Sequence, residues 1–319
     1  MIDEFGGGVE GSFEHKLRLR LAGMFWVVVA GLLSLLVAAL VWLASDQDER
    51  ARTMSQRIAS SAVDARLDFL SKTIRDYAVW DDAYENIVVR PDPAWMDGNV
   101  GPFVFNSLNF ERSFLLDDKT RTLYAMQGGK VFDAARPEGK PGAEIEGLVR
   151  QATADARGAP FARLARIDGQ PAMVAVGRVA PSTEERGADP AKVRILVFVD
   201  FLDRAVLDEM SRIYLLPGLK IETGEPANGF AAIPLNDGKG QSFGALQWQQ
   251  DRPGRTMLSF MAPIVLGLAL LVALIGSRLM KLVHGMVERM LADRRKAEDA
   301  IERARLALAA ANAAQGDAA

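Results

Sequence analysis

The stretch RDYAVWDDAYE, from Arg75 to Glu85, gathers side chains that could do chemistry. Two adjacent carboxylates, Asp81 and Asp82, stand among the rings of Tyr77, Trp80 and Tyr84. Burying a charge without a partner is costly, so carboxylates in such company need a reason to be there. On a helix, Asp81 falls on the stripe of Leu67, Leu70, Ile74, Tyr77 and Tyr84. Asp82 is rotated roughly 100° further, toward Ala78 and Glu85. Three readings compete. The carboxylates can accept hydrogen bonds from backbone or tyrosine groups where the helix ends and the chain turns back. Alternatively, Tyr77, Trp80, Asp81, Asp82 and Tyr84 can form a ligand site. Rings and carboxylate would there favour a cationic or amine-bearing molecule. Catalysis by paired carboxylates, as in glycoside hydrolysis, needs two groups facing each other across a bond, and neighbours on one helix point in different directions.

Composition removes other chemistries. The chain has no cysteine, and its two histidines are His15 and His284. The region between the apolar segments described below therefore lacks both residue types, which excludes Cys or His nucleophile systems and the usual zinc sites there. A net charge of −3 and a pI near 5.6 give no basic footprint for nucleic acid. Arg178, Asn106 and Asn109 could meet a ligand, but a sheet edge and turns account for them as well. Asp237-Gly238-Lys239-Gly240 reads as a turn and not a phosphate loop, and DDKTR lacks the spacing of a calcium loop.

The elements that must position the stretch begin with two apolar segments. Leu21 to Ala44 and Thr256 to Ser277 carry no charge. At 1.5 Å per residue they span roughly 36 and 33 Å, enough for a bilayer core of about 30 Å. The first is too long for a signal-peptide core, and Trp42 occupies a position where cleavage wants a small residue. Lys16, Arg18 and Arg20 precede it, and Arg278, Lys281, Arg289, Arg294, Arg295 and Lys296 follow the second. The basic flanks predict cytoplasmic termini and an exported region from Ser45 to Arg255, periplasmic in a bacterium.

From Ser45 to Arg90 there is neither proline nor glycine, and apolar residues recur at helical spacing. The pattern predicts one helix over 45–90, stopped by Pro91 and Pro93. Its narrow apolar stripe asks for a partner, which suggests a homodimer. After the prolines the period becomes two. Strands are expected at Ser113–Leu116, Thr122–Met126, Phe161–Ile167, Ala172–Ala180, Leu219–Glu222, Gly229–Ile233 and Phe243–Trp248, and a central one at Val193–Phe201. Helices are expected at Ala143–Ala156 and Leu202–Arg212. The class is α+β: a long membrane-proximal helix and an antiparallel sheet, 91–251, with one or two covering helices. Beyond the second span, Met280, Val283, Val287, Met290, Arg294, Ala297, Ile301, Ala304, Leu308 and Ala311 form a heptad seam, read as a parallel coiled coil within 278–319 in preference to a solvated helix of high Ala content. Residues 1–20 form a cytoplasmic tail.

Asp76, Tyr77, Ala78, Trp80, Asp81, Asp82 and Tyr84 resemble the marker of the CHASE-type extracellular sensor domains, specifically the fourth type. SLNFERSFLLDDKTRTLYA, IDGQPAMVAVGRVAP and GALQWQQDRPGRTML follow in that family's order. The resemblance covers roughly 45–255 and implies a PAS-like sensory fold without catalytic residues or a cofactor. Its members sit between two membrane spans in histidine kinases and cyclic-di-GMP enzymes. No HAMP, phosphoacceptor histidine, GGDEF or EAL motif follows here, so the expectation is an input fragment of a longer signalling protein in preference to a truncated, stand-alone sensor. The expectation is a dimeric, non-enzymatic inner-membrane sensor of an unknown small periplasmic ligand, with a cytoplasmic kinase or cyclase output and no nucleic-acid partner. The alternative is a membrane scaffold whose exported domain docks another protein.

Overall fold

Helix α1 runs from Gly7 to Ala78 in the computed structural model, which describes residues 7–154, 159–183, 188–189, 191–238 and 240–316. The helix does not continue to Arg90. At Val79 the chain turns extended and forms a parallel bridge with Ala180. The Ala180 N–H bonds the Ala78 carbonyl at 2.9 Å, and the Trp80 N–H bonds the Ala180 carbonyl at 3.2 Å. These backbone partners stand in for helical ones at the interruption. The helical path resumes as α2, Asp81–Tyr84, and a π-helical turn, Glu85–Val89, before Pro91 ends it.

Two short helices follow where the sequence pattern predicted none. They are α3, Pro93–Asn99, and α4, Pro102–Leu108, each with proline in its first turn, where the missing N–H costs nothing. Asp92 caps α3 by accepting from the N–H groups of Ala94 (2.9 Å) and Trp95 (3.2 Å).

The chain divides into two units, and Glu49–Asp251 forms the larger. Its main sheet comprises β1 (Arg112–Asp117), β2 (Thr122–Gln127), β3 (Lys130–Phe132), β4 (Phe161–Ile167), β5 (Gln170–Arg178) and β6 (Arg194–Phe201), in the antiparallel order β3-β2-β1-β6-β5-β4. As predicted, β6 is central. It pairs Phe114 with Val197 on one side and Val174 with Val199 on the other. Both faces are covered. Phe114, Val174, Val176, Val197 and Val199 pack with Ile145 and Val149 of α5 (Ala143–Ala154). Leu115, Met173, Ala175, Leu196 and Phe198 share the opposite core with Leu70, Ile74 and Ala78 of α1. This double burial is why β6 reads as a continuous apolar run rather than an alternating one.

Helix α1 lies close on its face of the sheet. A methyl added at Gly177 would come within 2.9 Å of the Ala78 Cβ and 3.1 Å of the Ile74 Cγ1. Near the other end of the covered stretch, Arg66 donates to Asp200 of β6 at 2.8 and 3.3 Å. Asp200 has no exposed surface. Burial pushes its carboxyl up, Arg66 opposes this, and the charges of Asp203 and Glu209 add to the rise.

After α6 (Arg204–Tyr214), the strands β7 (Lys220–Glu222), β8 (Phe230–Asn236) and β9 (Ser242–Gln249) form a separate three-stranded sheet in the order β7-β9-β8. One sheet was expected from the sequence. The structure has two, and Ala231, Leu235, Leu246 and Trp248 of the second join the core on the α1 side.

The other unit holds the chain up to Asp48 and from Arg252 onward, with α7 running from Pro253 to Gly316. Both helices contain windows long and apolar enough to cross a membrane, and those windows are exposed rather than buried in protein. The two meet closely. A side chain at Gly254 would run into the Ala44 carbonyl, and one at Gly276 would come within 3.0 Å of the Phe25 ring. The Gly254 N–H bonds the Asp48 carboxylate at 2.7 Å. Small residues at helix contacts allow such approach in lipid. Past the apolar stretch α7 continues unbroken, and Val283, Val287, Met290 and Ile301 of the expected seam are exposed along it.

Candidate functional site

The interruption of α1 sets where the motif's side chains go. Tyr77 is on the last turn of the helix, half-buried, with its ring edge-on to Phe198 at 5.5 Å. Phe198 in turn stacks on Phe110 at 5.3 Å, so Tyr77 is braced by the core beneath it. Trp80, in the extended residue after the break, leans on Trp95 of α3 at 5.4 Å. That contact draws α3 and α4 against the end of α1. Between them lies a cleft of about 310 Å³ lined by Asp76, Tyr77, Trp80, Asn99 and Phe103.

Tyr77 and Trp80 of the expected site therefore meet at this cleft, while Asp81, Asp82 and Tyr84 are not among its lining residues. The Asp81 carboxylate receives the Ser182 N–H at 2.9 Å and the Thr183 N–H at 3.4 Å, and the Thr183 hydroxyl reaches both its oxygens. Burial raises the Asp81 carboxyl, but these donors outweigh it and hold the group below the usual carboxylate range. Tyr84 is buried, and its hydroxyl accepts the Asp189 N–H at 2.8 Å. Asp81 and Tyr84 thus fasten the segment after β5. Asp82 is exposed, and its backbone carbonyl accepts from the Asn86 amide at 2.8 Å. The geometry fits the first reading for Asp81, as an acceptor where the helix ends and the chain turns back.

The carboxylate at the cleft is Asp76. The Tyr77 phenol beside it is held protonated above its ordinary range, by burial and then by the Asp76 charge. Asn99 donates its amide to the Trp95 carbonyl at 2.8 Å, which fixes its orientation. Phe103 forms a rim and is 44% exposed, enough to meet a ligand. Asn99 and Phe103 were missed in the sequence because their helices were. Asp92-Pro93 and Gly101-Pro102 were the available signals for those helix starts.

The weaker candidates fall on turns and edges. Asn109 adopts a left-handed conformation, φ 59°, at the end of α4. Asn106 is exposed, and Arg178 is half-buried at the end of β5, paired with Ile195. The Asp237 carboxylate closes its own turn by accepting the Gln241 N–H at 2.8 Å, while Lys239 lies outside the described residues. Among the described residues, no three acidic or histidine side chains converge as a metal set. A larger hollow of about 530 Å³ beside β8 and β9 has Arg166 and Glu225 as its charged lining. Arg166 is already bonded to the Phe243 carbonyl at 2.6 Å.

Comparison with known families matches residues 62–221 to the CHASE4 domain. Among solved structures, the periplasmic domain of Vibrio cholerae LuxQ is similar at 13% identity and a TM-score of 0.38, covering 65% of this chain and 99% of that one. No curated protein matches the chain.

Proposed function

Because the chain belongs to the CHASE4 family of extracellular sensor domains, we propose that it is the input module of a two-span inner-membrane signalling protein. In this reading residues 45–255 are periplasmic, 21–44 and 256–277 cross the membrane, and 1–20 and 278–319 are cytoplasmic. The exported domain binds a small ligand at the cleft of Tyr77 and Trp80. The seam on α7 pairs with that of a second copy and passes the change to a histidine kinase or cyclic-di-GMP output domain.

One observation carries this reading. Tyr77 belongs both to the cleft and to the helix that includes the first apolar segment. A ligand touching that ring acts directly on a membrane-crossing element, and it shifts the equilibrium by its differential affinity for two states. The CHASE4 match supports sensing, and a domain of this family supplies no catalytic residues.

The test uses the full chain in dodecyl maltoside, screened against a panel of small metabolites by thermal shift. At least one compound should raise the unfolding midpoint of the wild type, and the rise should disappear in Trp80→Ala and Phe103→Ala variants that still unfold cooperatively. A rise that survives both substitutions moves the ligand elsewhere. A panel without any effect favours a docking scaffold. Alkaline phosphatase inserted at Gly169 should be active in cells, and activity on a fusion after Ala319 instead would overturn the topology.

A further inference from the structure

The lining of the cleft is one-sided in charge. Three of its five residues are aromatic, one is an amide, and the remaining one is the Asp76 carboxylate. Among the described residues, no lysine, arginine or histidine lines it. Lys72, one helical turn before Asp76, is engaged by Asp68 at 2.6 Å. Asp76 itself makes no ion pair among the described residues. The Asn99 amide gives one of its two protons to the Trp95 carbonyl. Beside the donors of the Tyr77 hydroxyl, the Trp80 indole and the Asn99 amide, the cleft offers the Asp76 carboxylate and the negative faces of three rings, so the formal charge among its described lining residues is negative.

Resting on the reading of this cleft as the sensory site, we infer that its ligand is a small organic ammonium ion, held by the Tyr77, Trp80 and Phe103 rings and by the Asp76 carboxylate. Rings and carboxylate attract the same charge. A carboxylate or phosphate ligand would face Asp76 with no cation to offset it. A neutral ligand would make no use of the charge on Asp76, which is exposed at the mouth of the cleft. The volume of about 310 Å³ is at the small end for ligand sites and suits an amine of choline size. Asp76, rather than Asp81, receives the charge, because the Asp81 oxygens are taken up by Ser182 and Thr183.

The experiment titrates the full chain in dodecyl maltoside, which avoids choline lipids, with three probes of one shape: choline, the neutral 3,3-dimethylbutan-1-ol and the anionic 3,3-dimethylbutyrate. Quenching of tryptophan emission reports binding at Trp80. Choline should bind saturably, at least about tenfold tighter than the alcohol, with the butyrate weakest. Asp76→Asn should weaken choline about tenfold and leave the alcohol unchanged, and Asp76→Glu should retain most of the affinity. Equal binding of choline and the alcohol, indifference to Asp76→Asn, or no saturable binding of choline overturns the inference. If the alcohol or the butyrate binds best and Trp80→Ala abolishes it, the sensing cleft stands and only the ammonium assignment falls. If binding of every probe survives Trp80→Ala, the cleft assignment falls as well.

Discussion

Arg66→Met tests how the long helix is held to the sheet. Asp200 is completely buried and Arg66 is 24% exposed, so their ion pair is mostly shielded from water. Removing the guanidinium leaves the carboxylate with Asp203 and Glu209 as its charged neighbours. Deleting one partner of a buried pair costs about 3–5 kcal/mol, and the partial exposure of Arg66 reduces this to about 2–4 kcal/mol near neutral pH. Asp200→Asn should cost less, because Arg66 can turn toward the Glu209 carboxylate, 3.9 Å away. The pH dependence has a definite sign. Burial already holds the Asp200 carboxyl above its ordinary value, despite Arg66. Between the ordinary value, about 3.9, and the raised one, the folded state binds more protons than the unfolded state, so stability falls as pH rises through that window. Losing Arg66 widens the window. The cost of Arg66→Met should thus be small near pH 4 and grow toward neutrality. Urea unfolding of the full chain in detergent, followed by tryptophan emission across that range, measures it. A cost below about 1 kcal/mol near neutral pH, or one that does not vary with pH, refutes the reasoning.

Gly177→Val should destabilise by about 1–3 kcal/mol, since its side chain meets Ala78 and Ile74 in a packed core, and Gly177→Ala should cost less; no loss in the same urea assay would mean the end of α1 yields freely. Asp117 shows the opposite pH sign from Asp200. Burial raises its carboxyl, but bonds from Arg121 and Lys119 prevail and lower it. Asp117→Asn should therefore cost about 2 kcal/mol at neutral pH, and the gap to the wild type should close as pH falls below about 4, read from unfolding curves in acid. Tyr124→Phe removes a 2.7 Å hydrogen bond to Asp97 and should cost about 1 kcal/mol, while alkaline titration of the wild type should leave Tyr124 un-ionised until the fold opens.

The strands were legible because their signal is local. Val193–Phe201 reads as a buried run, and β6 has both faces covered. Asp168-Gly169 reads as a hairpin turn, and both residues have positive φ, 50° and 81°. The apolar segments needed only length and charge. The motif's geometry was not legible, since the end of α1 is decided by Ala180, far along the chain, through backbone bonds that no side-chain spacing records. Helical periodicity placed Asp81 with Tyr77 and Trp80, whereas the break before Trp80 re-aims every residue after it. Asp81 then finds Ser182 and Thr183, and Asp76, outside the set named from the sequence, is left at the cleft. Asn99 and Phe103 were hidden by helices too short to show a period.

Because Ala78 and Ala180 are joined through their main chains, while Arg66 and Ser71 reach Asp200 and the Pro160 carbonyl, the last turns of α1 are clamped to the lobe at three points. Whatever shifts the ring of Tyr77 must carry that stretch of helix and the lobe it grips as one stiff body, so the joint passes displacement on rather than absorbing it.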